Sequence, residues 1–272
     1  MDPTPAAITY ALALASEPGC WTPLAGNPGL ERRDLGLAAA SGGAFSAHHY
    51  RATQPIGEAD DWQMHTGEFE FWYVMSGVLG IETERETSAM KKGSVAYMPR
   101  RFAFRRRWVE ARTEVLVIRS PGQLDYAAAP GPRAARPNTG YIWHDTPDGR
   151  IRGDGPRSFF EYRDLGTSAP THGEVYIHTL RTLKEEPVGT GWHYHTMGQL
   201  FVVLAGAADV TYESAPTQRF TAGDAMCIPG GPSVGRHRVE QITAGFLSFQ
   251  MCLPAQYETI RVAAPTLSSH AN

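Results

Sequence analysis

The chain has 272 residues, of which 42% are hydrophobic and 19% are charged, and its formal net charge at pH 7 is −3. This balance gives no basis for a nucleic-acid partner or for attraction to an anionic membrane, and no apolar run approaches the ~18 residues of a spanning helix. Three widely separated cysteines are typical of reduced thiols in a cytoplasm. We therefore expect a cytoplasmic protein that acts on a small molecule.

The first predicted element covers residues 6–16, an apolar stretch that ends in small residues. A secretory signal would carry a Lys or Arg ahead of such a stretch, whereas the first charge here is Asp2. We predict a short helix at this position.

Short runs of β-branched and aromatic residues, separated by Gly, Pro and Asn or Asp turns, follow along the chain and predict an all-β fold. The predicted strands, in chain order, are 44–51, 69–75, 79–83, 113–118, 175–181, 199–204, 209–212 and 246–253. Two of them, 69–75 and 199–204, are apolar on both faces. Packing of one half of the chain on the other, or a homodimer, would cover their outer faces.

The chain repeats itself at an offset of about 130 residues, which is typical of a duplicated structural unit. The segment 33–36 returns as 163–166, and His65 returns as His195. About eight strands per copy would suit a jelly-roll barrel or a sandwich. Because Pro, Ala, Gly and Asp dominate the region between the copies, we predict a linker there. The predicted boundaries are an N-terminal domain over 1–130, a linker over 131–158 and a C-terminal domain over 159–272.

The two copies differ in residue types that can bind a metal. Gln63, Glu70 and Phe104 of the first copy correspond to His193, Gln199 and His237 of the second. The last pairing requires a short insertion in the loop 230–235 of the second copy. The first copy keeps one of three histidines, so we predict that Gln63, His65, Glu70 and Phe104 form a degenerate site in a structural barrel.

Five arginines lie between residues 100 and 107. They could bind an anion at the mouth of the first barrel. The more ordinary interpretation is a solvated hairpin whose arginines form bridges to acidic residues.

In the second copy, His193 and His195 are two residues apart, so on a strand both imidazoles project to one face. A pair of this kind is weak on its own, because short motifs often occur by chance. The surrounding spacing adds weight to it. The pair is followed, in order, by Gln199, Gly206, Gly223, Pro229 and His237.

This series resembles the two characteristic motifs of the cupin superfamily, and a similar series runs from His65 to Pro99. The whole chain therefore resembles a bicupin. The resemblance implies two tandem double-stranded β-helix barrels, or jelly rolls, of the kind that hold one metal in the interior. It further implies that the metal ligands are His193, His195, Gln199 and His237.

A glutamine stands where the cupin pattern usually has glutamate. The neutral Gln199 leaves the ion with more positive charge, which favours an anionic or chelating substrate. We expect one divalent transition metal per chain, with iron first and Mn, Ni, Zn or Cu open. Trp192, Phe201, Val203 and Met226 are predicted to line an apolar substrate pocket.

The leading hypothesis is a mononuclear metal-dependent oxidoreductase, a dioxygenase whose C-terminal barrel acts on a small aromatic, flavonoid-like or dicarbonyl compound. Two alternatives stay open, because one barrel fold supports many activities. The first is a redox-neutral metal-dependent isomerase or cyclase. The second is a non-enzymatic protein that binds a small molecule.

Overall fold

The computed structural model describes residues 7–59, 61–131, 140–146, 149–154, 157–213 and 215–264. These residues form β-strands and one four-residue helix, α1 (Leu37–Ala40), so the all-β prediction is confirmed. Within this part of the chain, no helix has the length and apolar character needed to span a bilayer. Two compact units are present: residues 11–148, and residues 149–272 together with residues 7–10.

The first unit is the N-terminal barrel. The unit begins with β1 (Ala11–Ala13), which belongs to neither sheet of this barrel. The strands of the barrel are β2 (Thr22–Pro23), β3 (Leu30–Asp34), β4 (Ser46–Ala52), β5 (Gln63–His65), β6 (Phe69–Ser76), β7 (Val78–Thr83), β8 (Thr87–Lys91), β9 (Val95–Pro99), β10 (Phe104–Val109), β11 (Glu114–Ser120), β12 (Tyr126–Ala128) and β13 (Tyr141–Trp143). One antiparallel sheet has the order β12-β5-β10-β7-β8, and the other has the order β13-β9-β6-β11-β4-β3-β2.

The second unit is the C-terminal barrel. Its strands are β14 (Arg150–Arg152), β15 (Phe160–Asp164), β16 (Tyr176–Thr182), β17 (His193–His195), β18 (Gly198–Ala205), β19 (Ala207–Tyr212), β20 (Gln218–Thr221), β21 (Ala225–Ile228), β22 (His237–Glu240), β23 (Leu247–Leu253) and β24 (Thr259–Arg261). One sheet contains β20-β19-β22-β17-β24, and the other contains β21-β18-β23-β16-β15-β14 in that order. The same strand order in both units confirms two jelly-roll barrels.

The two barrels have the same strand register at the position of the third histidine. Phe104 at the start of β10 lies opposite Gln63, and His237 at the start of β22 lies opposite His193. His237 therefore occupies the position of Phe104, as the insertion in the loop 230–235 requires.

Some segment boundaries differ from those predicted. Along the chain, the boundary between the units falls inside the predicted linker, between residues 148 and 149. Strand β13 belongs to the first unit because it pairs with β9, and β14 belongs to the second because it pairs with β15. Composition alone does not reveal such short edge strands. The predicted helix over 6–16 is wrong: its described residues contain the strand β1, since a helix of this length is marginal without strong packing.

Strands β6 and β18 are buried on both faces within the single chain. Phe71 and Leu200, which alternate with the interior-facing side chains, have 0% of their surface exposed. Covering these strands does not require a second chain, so the homodimer stays a prediction.

Candidate metal centre

Three histidines of the C-terminal barrel converge in its interior. His193 and His195 alternate with Tyr194 on β17, and the antiparallel register brings His237 directly opposite His193. One ring nitrogen from each histidine lies within 4.8 Å of the others. All three side chains are buried. The predicted trio is thus assembled by one strand pair.

The outer ring nitrogen of each histidine is held by a fixed partner. Nδ1 of His193 donates to the carbonyl oxygen of Gly191 at 2.8 Å, and Nδ1 of His237 donates to that of Gly235 at 2.8 Å. Nδ1 of His195 forms a hydrogen bond with Oγ1 of Thr259 at 2.9 Å. These contacts leave Nε2 of each ring as the nitrogen that can bind a metal.

Burial keeps the three imidazoles neutral at physiological pH. It lowers the pKa of His193 to about 2 and that of His237 to about 4, with His237 adding to the effect on His193. Burial also lowers the pKa of His195 well below its usual value. A neutral imidazole offers its lone pair to a metal without prior loss of a proton.

Gln199 lines the same cavity from β18. Its Nε2 donates to Oε1 of Gln250 at 2.7 Å, so the side-chain carbonyl oxygen is the atom available on its other side. Gln250 in turn forms a hydrogen bond with the buried His178. The orientation of Gln199 is therefore determined by a chain of polar contacts. Whether it ligates the metal stays a prediction.

An arginine that the sequence analysis did not single out faces the same cavity. Arg157 lines it and contributes a positive charge that lowers the pKa of each of the three histidines. It also forms a hydrogen bond with Tyr162. Arg157 lies in the segment predicted as linker, and no spacing signal in the sequence connects it to the histidines.

The cavity is small, with a volume of about 50 Å³. Phe201 and Met226 line it, as predicted, but Trp192 and Val203 are not among the described lining residues. Val203 shares a face with Phe201 and lies deeper in the barrel, where it belongs to the hydrophobic core. Trp192 precedes β17, and its ring packs under the guanidinium of Arg238 at 5.3 Å.

Two phenols complete the polar side of the cavity. Tyr162 and Tyr257 line it, and burial raises the pKa of both hydroxyls. Both phenols therefore stay protonated at neutral pH and can donate a hydrogen bond to a bound oxyanion.

The corresponding residues of the N-terminal barrel do not form a second histidine cluster. Nε2 of His65 donates to the carbonyl oxygen of Met98 at 2.9 Å. The carboxylate of Glu70 accepts hydrogen bonds from Trp72, Tyr126 and Arg119, the last at 3.3 Å. These partners occupy the one carboxylate that could have served as a ligand.

Phe104 and Gln63 also offer no metal-binding pair. The ring of Phe104 packs edge-on against Trp72, with centroids 5.5 Å apart. Gln63 lies opposite Phe104 in the register. Among the described residues, His193, His195 and His237 form the cluster that could bind a metal.

No protein-family model matches the sequence, and comparison with curated proteins found no significant match. Solved structures are similar to it, however. Protein Ylba from E. coli has a TM-score of 0.63 at 15% identity, over 91% of each chain. The putative glyoxylate induced protein from Pseudomonas aeruginosa has a TM-score of 0.64 at 14% identity, over 98% of this chain and 96% of that one. Oxalate decarboxylase from Bacillus subtilis has a TM-score of 0.55 at 14% identity, over 87% of this chain and 75% of that one.

The fold is that of the cupins. At 14–15% identity the likeness to these structures shows the fold and leaves the reaction open. The Bacillus subtilis oxalate decarboxylase has Mn(II) centers, and a further structure of it is similar to this chain with a TM-score of 0.57. The cupin fold and the buried histidine cluster together support a transition-metal site in this chain.

Proposed function

We propose that this chain is a mononuclear metal enzyme whose C-terminal barrel binds a small carboxylate or dicarbonyl substrate. His193, His195, His237 and Gln199 would hold one divalent transition metal. The observation that carries the proposal is the set of three Nδ1 contacts, which turns the Nε2 atoms of three neutral, buried imidazoles inward. The bicupin architecture, in which the second barrel keeps the metal, belongs to the same proposal.

The charge of the site favours an anionic substrate. Three imidazoles and one amide are all neutral donors, so they do not offset the charge of a divalent ion. Arg157 adds a further positive charge to the cavity. A substrate that brings one or two oxyanions would compensate this excess.

The size of the cavity favours a small substrate. A volume of about 50 Å³ has room for about four water molecules. A two- to four-carbon carboxylate or diketone fits this volume better than a flavonoid, which would require the barrel to open. Oxalate and glyoxylate, after which two of the structurally similar proteins are named, are compounds of this size.

Dioxygenase chemistry is the first reaction to test. The metal would supply a Lewis acid and a binding site for dioxygen, with iron first and Mn, Ni, Zn or Cu open. Arg157 would bind a substrate carboxylate through charge-assisted hydrogen bonds. Phe201, Met226 and Phe246 line the cavity and would limit the access of bulk water.

A redox-neutral isomerase or cyclase is the second candidate. The two protonated phenols of Tyr162 and Tyr257 favour it, since they could donate hydrogen bonds to an enolate or alkoxide without any electron transfer. A protein that binds a small molecule without turning it over is the remaining alternative.

Oxygen consumption and substrate loss would separate these functions. The metal-loaded protein is given small dicarboxylates and diketones with and without oxygen, beside His237→Ala and Arg157→Gln. We expect turnover in the wild type, none in His237→Ala, and at least about a tenfold rise in KM in Arg157→Gln with the metal retained. Turnover that persists without oxygen would select the redox-neutral candidate. Binding without turnover under both conditions would contradict an enzyme.

A further inference from the structure

The N-terminal barrel contains the larger of the two barrel cavities. Its volume is about 650 Å³, against about 50 Å³ around the histidines of the C-terminal barrel. A space of several hundred Å³ is typical of a small-molecule site, whereas a purely structural barrel is filled by its own side chains. The exposed residues Arg32 and Asp61 line the cavity, so it reaches the surface.

One guanidinium, that of Arg106, faces this cavity and forms no ion pair with the carboxylates of the described residues. The side chains alternate along β10, so that Arg105 and Arg107 lie outside and pair with Glu82, while Arg106 lines the cavity. Nε of Arg106 is buried and has no hydrogen-bond partner within the described part of the chain. Burial lowers the pKa of Arg106 from its ordinary value, although an arginine stays charged at physiological pH.

The remaining polar side chains leave the cavity with a positive excess. Arg119 lines it and donates to Glu70 at 3.3 Å and to the hydroxyl of Tyr50 at 3.1 Å. The charged lining residues are Arg32, Arg106 and Arg119 against Asp61 and Glu70. Among the described lining residues, three positive and two negative groups leave one positive charge in excess.

The C-terminal barrel has no arginine at the position that corresponds to Arg106. Arg106 lies two residues after Phe104, and Val239 lies two residues after His237 on the equivalent strand. Val239 lines the cavity of the metal centre. One barrel thus has a histidine and a valine where the other has a phenylalanine and an arginine.

We propose that the N-terminal barrel is a metal-independent binding site for an organic monoanion, with the carboxylate of the ligand paired to Arg106. The planar guanidinium accepts a carboxylate in a bidentate geometry, and a buried pair of this kind relieves an otherwise unpaired charge. Trp72, Leu79 and Val117 would contact an apolar or aromatic body. The site does not depend on the reaction proposed for the C-terminal barrel.

Calorimetric titration of the full chain with benzoate tests this site. Arg106→Gln removes the cavity-facing charge, and Arg107→Gln is the matched control, because it makes the same change on the outer face of the same strand. We expect benzoate binding to weaken about tenfold or more in Arg106→Gln and to change little in Arg107→Gln. Benzamide, which has the same shape without the charge, should not bind. The His237→Ala protein should bind benzoate as the wild type does, which separates this site from the metal centre.

Thermal unfolding without ligand provides a second measurement. Arg107 pairs with Glu58 and Glu82, whereas Arg106 has no ion pair among the described residues, so Arg106→Gln should melt no lower than Arg107→Gln. A lower melting temperature would mean that Arg106 has a structural partner and would overturn the proposal. The proposal would also be overturned if neither benzoate nor hexanoate binds the wild type at millimolar concentration, or if binding disappears in His237→Ala.

Discussion

Each histidine of the candidate metal centre is constrained through its second ring nitrogen, and the three constraints are of two kinds. Two of them use backbone carbonyl oxygens, at Gly191 and Gly235, which no substitution can remove. The third uses the side chain of Thr259, which faces His195 across the β17–β24 register. That contact is the part of the metal centre most accessible to mutation.

Thr259→Val should weaken metal binding by roughly 10- to 100-fold, because the isosteric side chain can no longer hold the ring of His195 in place. Thr259→Ser keeps the hydroxyl and should bind the metal almost as the wild type does. Competition with a chelator of known affinity measures both values. Equal affinity in Thr259→Val and the wild type would show that His195 needs no such partner.

The side chain of Gln199 is neutral, whereas a glutamate at this position would carry a negative charge. Gln199→Glu lowers the net charge of the site by one, so we expect tighter metal binding and about tenfold weaker binding of oxalate to the metal-loaded protein. Gln218→Glu makes the same change on another strand of the barrel and should alter neither value. Metal affinity that falls in Gln199→Glu would contradict a role for this side chain as a ligand.

At the scale of elements, strand alternation explains which sequence predictions the structure bears out. The apolar runs 69–75 and 199–204 correspond closely to β6 and β18, since long buried strands have few competing conformations. The same alternation divides the arginine run. Its outer members form the predicted bridges to acidic residues, while Arg106 faces inward.

The loop 230–235 contains the insertion that the pairing of His237 with Phe104 requires. Val234 of this loop has 55% of its surface exposed, and the register assigns His237 to the cluster. Val234→Ala should therefore retain its metal with unchanged affinity, as measured by the same chelator competition. Loss of metal in this variant would mean that the loop packs onto the site.

Other parts of the site could not be predicted from the sequence for physical reasons. Arg157 lies in a segment rich in Gly, Asp and Pro, and only the folded chain brings it to the cavity. Val203 was expected in the pocket because alternation defines a face but not a depth. Trp192 precedes β17, and its ring packs against Arg238 instead. Cavity volume depends on how side chains pack, which no local pattern records.

At the scale of the whole molecule, the interiors of the two barrels differ in their polar side chains and in how those side chains are paired. The C-terminal barrel collects neutral imidazoles that leave room for a cation. The N-terminal barrel neutralises its remaining carboxylate, Glu70, with Arg119 and hydrogen bonds from Trp72 and Tyr126. The same fold therefore supports a candidate cation site in one barrel and, among the described lining residues, more arginines than carboxylates in the other.

Metal content per chain tests the central claim most directly. The measurement is inductively coupled plasma mass spectrometry on protein purified without added metal and again after reconstitution. We expect about one equivalent of a transition metal in the wild type and in His65→Gln, and almost none in His237→Ala. Two equivalents per chain, or a full equivalent retained by His237→Ala, would contradict a single metal centre in the C-terminal barrel.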